Sequence, residues 1–326
     1  MLRLLIVSFA AALCLAPAAL ADGQMPFAAQ GGSGILSADG STRYVALNAD
    51  GNTVLAALQT KDGSLRRSTT LLGSFGIPMI TYDIAAGLSH DGRTLVVGNP
   101  DLAQTSRFLV LDARTLRMRN WLVLKGSFAF DALSPDASRL YLVQHTLAAD
   151  GDYAHYVVRA YDLRTHRLLP GRIADRTQKG WVMDGYPLDR VTSADGRWVY
   201  TLYQNGGDGF PFVHALDTVH GVAHCIGLPL RNESGVYNLV LSLRDGGRSL
   251  AVHWRSGRPW LAVDTATWRI SYPGGGTPWA AVGGSAGGAA VIAVAVAALL
   301  VRRRRREEVG EEPRDELRLA EGQVVV

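Results

Sequence analysis

The chain has 326 residues, 33 Lys+Arg against 29 Asp+Glu, and 48% hydrophobic residues, enough for one large domain or two ordinary ones. With 36 Gly, 13 Pro and 19% charged residues it is neither collagen-like nor broadly disordered. A net charge of +4 lacks the basic stripe of a dedicated nucleic-acid binder, so nucleic acid is not an expected partner.

The N-terminus carries Arg3, an apolar run from Leu4 to Leu15, and Ala19-Leu20-Ala21 before Asp22. One positive charge, a short apolar stretch and an A-x-A site read as a secretory signal peptide over residues 1–21. Leu13 precedes Cys14 where a lipoprotein signal needs a small residue, so no lipid anchor is expected there. Removal of Cys14 would leave Cys225 alone, which excludes an internal disulfide and a cysteine-based zinc knuckle.

Residues 22–273 read as one extracytoplasmic domain made of repeats. A Ser-x-Asp-Gly-like turn followed by an apolar run begins at Ser37, Ser89, Ser134, Ser193 and, stretched, Ser242, at spacings of 52, 45, 59 and 49. A second marker, an apolar strand ending in Asp and a turn, keeps step at Asp112, Asp162, Asp217 and Asp264, with Asp62 as its expected first copy. Asp-Gly suits a tight hairpin because its backbone adopts positive φ readily. Short β-type segments fill the intervals, among them 43–47, 95–97, 140–144, 198–203 and 250–254, and no window before Pro278 shows a sustained helical period. About four strands per unit, repeating every 40–50 residues, predict an all-β protein: a β-propeller of about five four-stranded blades, or six or seven if degenerate units escape the pattern. The turn aspartates are assigned to turn chemistry, and Trp181, Trp198, Trp254, Trp260 and Trp268 to filling between blades.

The pattern Ser-x-Asp-Gly-x-x-Leu-Tyr/Val with an Ala/Leu-Asp-Thr/Leu turn resembles the YVTN-type bacterial surface propellers and, more distantly, WD-type repeats. Ser134-Pro135-Asp136-Ala137-Ser138-Arg139-Leu140-Tyr141-Leu142-Val143 is the nearest copy, with Ala137 in place of Gly. The resemblance covers about residues 35–272 and implies a propeller; the motif is nearly silent on activity.

Propellers bind at the mouth of the central channel, so polar residues ahead of each Ser turn are the ligand-binding candidates: Asp83, Asp131, Asp189 and Asn238, with Tyr186 and Tyr237, and Tyr82 and Arg190 nearby. Structural hydrogen bonding to blade loops is the competing role for the same residues. His220, His224 and Cys225 look like metal ligands, but Gly221 makes the segment a hairpin and Cys225 would face the other way, so no metal site is assigned. No nucleophile elbow, P-loop, H-E-x-x-H or dinucleotide fingerprint is present, and no cofactor or catalytic residue is assigned.

A Gly/Pro linker over 274–279 leads to residues 280–301, which are uncharged and would span about 33 Å as a helix, enough for a bilayer core. Arg302, Arg303, Arg304, Arg305 and Arg306 follow as a stop-transfer signal, placing residues 302–326 in the cytoplasm as a disordered acidic tail. The expected localisation is therefore the cell membrane, with a single pass and the N-terminal domain outside. A sorting signal cleaved by a transpeptidase would need a Leu-Pro-x-Thr-Gly-like motif, which Tyr272-Pro273-Gly274-Gly275-Gly276-Thr277-Pro278 is not. Two functions stay open. One is a cell-surface binding module for a protein, glycan or envelope component. The other is a lactonase-like hydrolase with Asp131 and Asp189 converging on a divalent cation, an idea that fails if apolar side chains fill the channel.

Overall fold

A computed structural model describes residues 26–100, 104–147, 153–178, 183–205, 210–230 and 233–273. The expected signal peptide, the 280–301 span, Arg302–Arg306 and Trp181 lie outside the described residues, among which no helix is long and apolar enough to cross a membrane.

Among the described residues twenty-one short strands form six antiparallel sheets. A leading strand, β1 (Phe27–Ala29), is followed by the first unit, β2 (Ile35–Leu36), β3 (Thr42–Ala49), β4 (Asn52–Gln59) and β5 (Leu65–Leu71). Then β6 (Ile77–Met79) pairs with β1, and β7 (Thr94–Gly98), β8 (Thr105–Asp112) and β9 (Met118–Lys125) form the second unit. The third unit is β10 (Ser127–Leu133), β11 (Arg139–Leu147), β12 (Tyr153–Asp162) and β13 (Arg167–Leu168). The fourth is β14 (Pro187–Thr192), β15 (Trp198–Tyr203), β16 (Phe212–Asp217) and β17 (Val222–Gly227). The fifth is β18 (Leu239–Arg244), β19 (Ser249–Trp254), β20 (Pro259–Asp264) and β21 (Ile270–Ser271). Within every unit spatial order follows chain order, so each is a meander. This succession of five antiparallel meanders is propeller-like.

The second unit departs from the expected four strands, having three in its sheet. Residues 85–88 stand where its first strand belongs, joined by the Leu88–Leu95 bridge and by Val96 N–H donating to Gly87 C=O at 2.7 Å. Too few of its backbone groups reach β7 to make a regular ladder.

The turns explain why two sequence markers keep one period. In four units the serine Oγ accepts from the backbone N–H five residues on, at 2.8–2.9 Å, and donates to the Asp carboxylate two residues on, at 2.5–2.7 Å. The fourth turn residue has positive φ, as Gly40 (66°), Gly92 (67°) and Gly196 (72°), and as Ala137 (51°) in the third unit. In the last four units the Asp marker ends a strand, and the next residue ties its hairpin to the first turn of the same unit: Ala113 to Arg93 C=O, Leu163 to Ser138, Thr218 to Arg197 and Thr265 to Arg248. Both motifs therefore sit at one end of each meander.

Two assignments shift. Ser242 lies inside β18, paired with Ala251, and the fifth turn starts at Arg244 and runs through Asp245-Gly246-Gly247 without a serine. In the first unit Gln59, not Asp62, ends the third strand; Gly63 N–H returns to Gln59 C=O at 2.8 Å, as Leu116 does to Asp112.

The core lies between consecutive units, which pack sheet face to sheet face. Leu55, Leu95, Leu109 and Leu111 fill the space between the first and second. Val96, Phe108 and Val110 turn the other way, toward Phe128, Phe130 and Leu140 of the third. Tyr141, Val143 and Val158 meet Tyr203, Phe212 and Leu216 between the third and fourth. A strand covered on both faces reads as a continuous apolar run, which is why β7 and β16 are buried along their whole length. Each such Leu contributes about 1.5–3 kcal/mol. Trp198 and Trp268 join the fourth unit to the fifth, their rings 5.3 Å apart, whereas Trp254 and Trp260 pack within the fifth.

Candidate functional site

The first strands of the first four units converge on a cavity of about 350 Å³. Ile35, Leu36 and Ala38 supply one wall, residues 84–90 the next, residues 130–133 the third, and Arg190, Thr192 and Val199 the fourth. The lining is mainly aliphatic, with Ser89, His90, Asp131, Arg190 and Thr192 as its polar side chains.

Asp131 and Arg190 form the ion pair of this cavity. Asp131 sits at a register shift in β10, between Phe130 and Ala132, which turns its side chain out of the regular alternation. Its side chain is 2% exposed and that of Arg190 is 9% exposed. Arg190 donates Nη2 to Asp131 Oδ1 and Nη1 to the Asp131 backbone C=O, and its Nε reaches Thr201 Oγ1 at 2.9 Å. Such a fork fixes a guanidinium in one orientation. Asp131 Oδ2 is buried with no hydrogen-bond donor among the described residues, so the carboxylate keeps one accepting position unused.

The remaining candidates do not gather here. Asp83 is exposed in a turn, its N–H bonded to Thr81 Oγ1 at 3.3 Å. Asp189 faces the fifth unit, where its carboxylate accepts from Leu241 N–H at 2.6 Å, and burial raises its pKa. Tyr186 lines a separate hollow of about 170 Å³ with His155, Asp184 and Asn205. Asn238 is exposed and Tyr237 half-buried, both next to the helical turn before β18. Thus only Asp131 of the six reaches the cavity. Its partner Arg190 has a signal in the sequence: it stands three residues before Ser193, as Asp131 stands three before Ser134. The two equivalent positions meet between the third and fourth units.

His220, His224 and Cys225 have different neighbours: Asp217, Asp175 and His214. Gly221 takes positive φ (67°) in the hairpin. His220 Nδ1 lies 2.8 Å from Asp217 Oδ2, which Arg197 also contacts at 2.6 Å. Burial works against charge on Asp217, but Arg197, His220 and two backbone N–H groups hold its pKa down at about 2. Cys225 turns into the core, 3.4 Å from His214 Nδ1, and burial pushes its thiol pKa up, leaving a protonated, inert thiol. His214 and His145 are themselves enclosed, and burial lowers both to a pKa of about 4. Among the described residues no three His, Cys, Asp or Glu side chains group as a metal site.

No family model matches the chain, including any for YVTN-type repeats, and no curated protein matches it. Among solved structures it is similar to Kuenenia stuttgartiensis hydrazine synthase, at 16% identity over 71% of this chain and 70% of that one, with a TM-score of 0.45. It is also similar to the Myceliophteria thermophila Cps50 (Swd1) β-propeller domain, at 8% identity over 72% and 66% of the two chains, TM-score 0.42. An uncharacterised protein of Listeria monocytogenes EGD-e, lmo1340, matches at 9% identity over 77% and 82%, TM-score 0.38. At these values the propeller-like architecture rests on the meanders themselves.

Proposed function

We propose that the chain is an extracytoplasmic binding module, held to the membrane by residues 280–301, that takes a ligand at the convergence of its inner strands. The carrying observation is the cavity: a mainly aliphatic wall around one oriented, buried ion pair. Apolar pockets with a few fixed polar groups are built for recognition. Asp131 engages Arg190 rather than standing poised beside a second carboxylate, and Asp189 points elsewhere, so the geometry favours binding over hydrolysis. The ligand class that fits is a compact apolar group. On this reading the module is a closed ring of five blades, and the five arginines fix the tail inside.

Both halves are testable on the full-length chain in a bacterial host. Protease added to intact cells should remove the 22–273 domain while an epitope on the 302–326 tail survives; loss of the tail epitope with the domain intact would overturn the topology. Native mass spectrometry of the purified chain should show a retained small molecule that Ala86→Trp, which fills the cavity, abolishes. Equal retention by both forms would overturn the site.

A further inference from the structure

A second surface stands on the outer side of the first two units. The last strand of a meander is an edge, with half of its backbone N–H and C=O groups unpaired. Here the two edges are β5 and β9, and between them opens a cleft of about 390 Å³. Register defines its walls. Trp121 pairs across from Leu109 and Arg67 from Ala57, and both of those inner residues belong to the core between the two units, so Trp121 and Arg67 face one another's unit across the cleft. Leu71, Phe75 and Leu116 form the buried base.

The rim is unusually apolar for an edge. Leu65 is 61% exposed, Trp121 55%, Val123 59% and Met118 55%. A long edge strand without proline and with outward Trp and Val attracts another chain unless something covers it. The cleft lining is also of one charge, with Arg67 and Arg117 and no Asp or Glu. Residues 65–72 and 113–125 hold Arg66, Arg67, Arg114, Arg117, Arg119 and Lys125 and no Asp or Glu, six positive charges in a chain whose net charge is +4. Arg119 is matched by Asp112 and Arg66 bonds Thr42 Oγ1, while Arg67 and Arg117 line the cleft with no carboxylate partner among the described residues.

We propose that this cleft binds an extended acidic peptide segment of a partner protein, its bulky apolar side chains entering beside Trp121 and its carboxylates meeting Arg67 and Arg117. Charge selects the sign of the partner, and concavity selects a chain over a lipid surface: a flat anionic membrane would contact the protruding rim but leave Phe75 and Leu116 untouched. An added strand on β9 would place every second side chain on the face that carries Trp121, Val123 and Lys125, alternating apolar contacts with ion pairs.

The test uses the full-length chain in phosphatidylcholine nanodiscs. The probes are a fluorescein-labelled dodecapeptide of alternating Glu and Leu, its Lys/Leu counterpart, and phosphatidylglycerol vesicles. The Glu/Leu peptide should bind and the Lys/Leu peptide should not. Trp121→Ala should weaken binding by about tenfold or more, as expected of an interfacial aromatic anchor. The double variant Arg67→Glu, Arg117→Glu should lose the Glu/Leu peptide and gain the Lys/Leu one. Arg172→Glu, an exposed arginine on the third-to-fourth connection, should change neither. A gained Lys/Leu affinity cannot come from misfolding, so the charge swap reads the site even if one variant is unstable. Equal binding of both peptides, unchanged binding by the variants, or vesicles that compete fully with the peptide would overturn the proposal.

Discussion

Stability should fall steeply between pH 6.5 and pH 4, because two histidines are enclosed in the neutral form. His214 is 1% exposed, against Cys225 Sγ through Nδ1 and against the ring of Tyr203, with no hydrogen-bond partner for its Nε2 among the described residues; His145 is 5% exposed, its ring 5.8 Å from that of Tyr156. Burial lowers the pKa of each to about 4, well below the ordinary imidazole range, despite the attraction of Asp131 for His214. The unfolded chain therefore binds protons that the folded chain refuses. Stability is complete above pH 6.5 and is lost as pH falls toward 4. At pH 5 the loss is about 2 kcal/mol for each histidine and about 4 kcal/mol for both. The turn carboxylates act lower down, since Asp39 and Asp217 titrate at about 2 and keep their contribution across this window. Asp189, raised by burial, opposes the trend slightly near its lower end. Urea unfolding of the full-length chain in nonionic detergent, followed by tryptophan fluorescence at pH 7 and pH 5, measures the difference. His214→Phe keeps an aromatic ring beside Tyr203 and should halve it. A wild-type chain equally stable at both values, or a His214→Phe chain with the full loss, would show that burial of neutral His214 does not set the pH dependence.

Other perturbations follow from the turns and the ion pair. Ala137→Gly should stabilise the chain by about 0.5–1 kcal/mol, since Ala137 holds a φ of 51° that L-residues resist, and the midpoint of urea unfolding reads it. Tyr141→Phe should cost about 1 kcal/mol by removing the buried hydroxyl's 2.7 Å bond to Thr218 C=O, which links the third and fourth units. Arg190→Met should cost about 3–5 kcal/mol by stranding the Asp131 carboxylate, while the double variant Asp131→Leu, Arg190→Met should recover most of that loss. Recovery that fails in the double variant would mean that the arginine acts through packing rather than charge.

Legibility in the sequence tracks how local each determinant is. Ser89 and Asp91 make their turn with atoms of residues 89–94 alone, so Ser-x-Asp-Gly predicts the hairpin wherever it occurs. The fifth unit escapes because Asp245-Gly246-Gly247 turns the chain through glycine conformation without the serine, and spacing alone draws the motif onto Ser242. The missing regular strand at residues 85–88 escapes for a different reason: its few bonds depend on β7 and on Pro78 C=O, which no local pattern specifies.

The site was half legible on the same ground. Asp131 is recognisable as a polar residue in an inner strand, but its meaning depends on Arg190, 59 residues away in another unit. Local periodicity sets the register within a unit; between units it is set by face-to-face packing of residues such as Tyr141 and Tyr203. A repeat fold supplies a bridge across that gap, because residues at equal offsets from equivalent turns lie in one layer. Offset three gives Gly34, Ala86, Asp131 and Arg190 in the first four units, so the only ionisable residues of that layer are the two that meet. Residues at other offsets, Ile84, Ala85 and Phe130 among them, line the cavity as well. Equal offset therefore pairs Asp131 with Arg190, while the rest of the wall is set by how the inner strands converge.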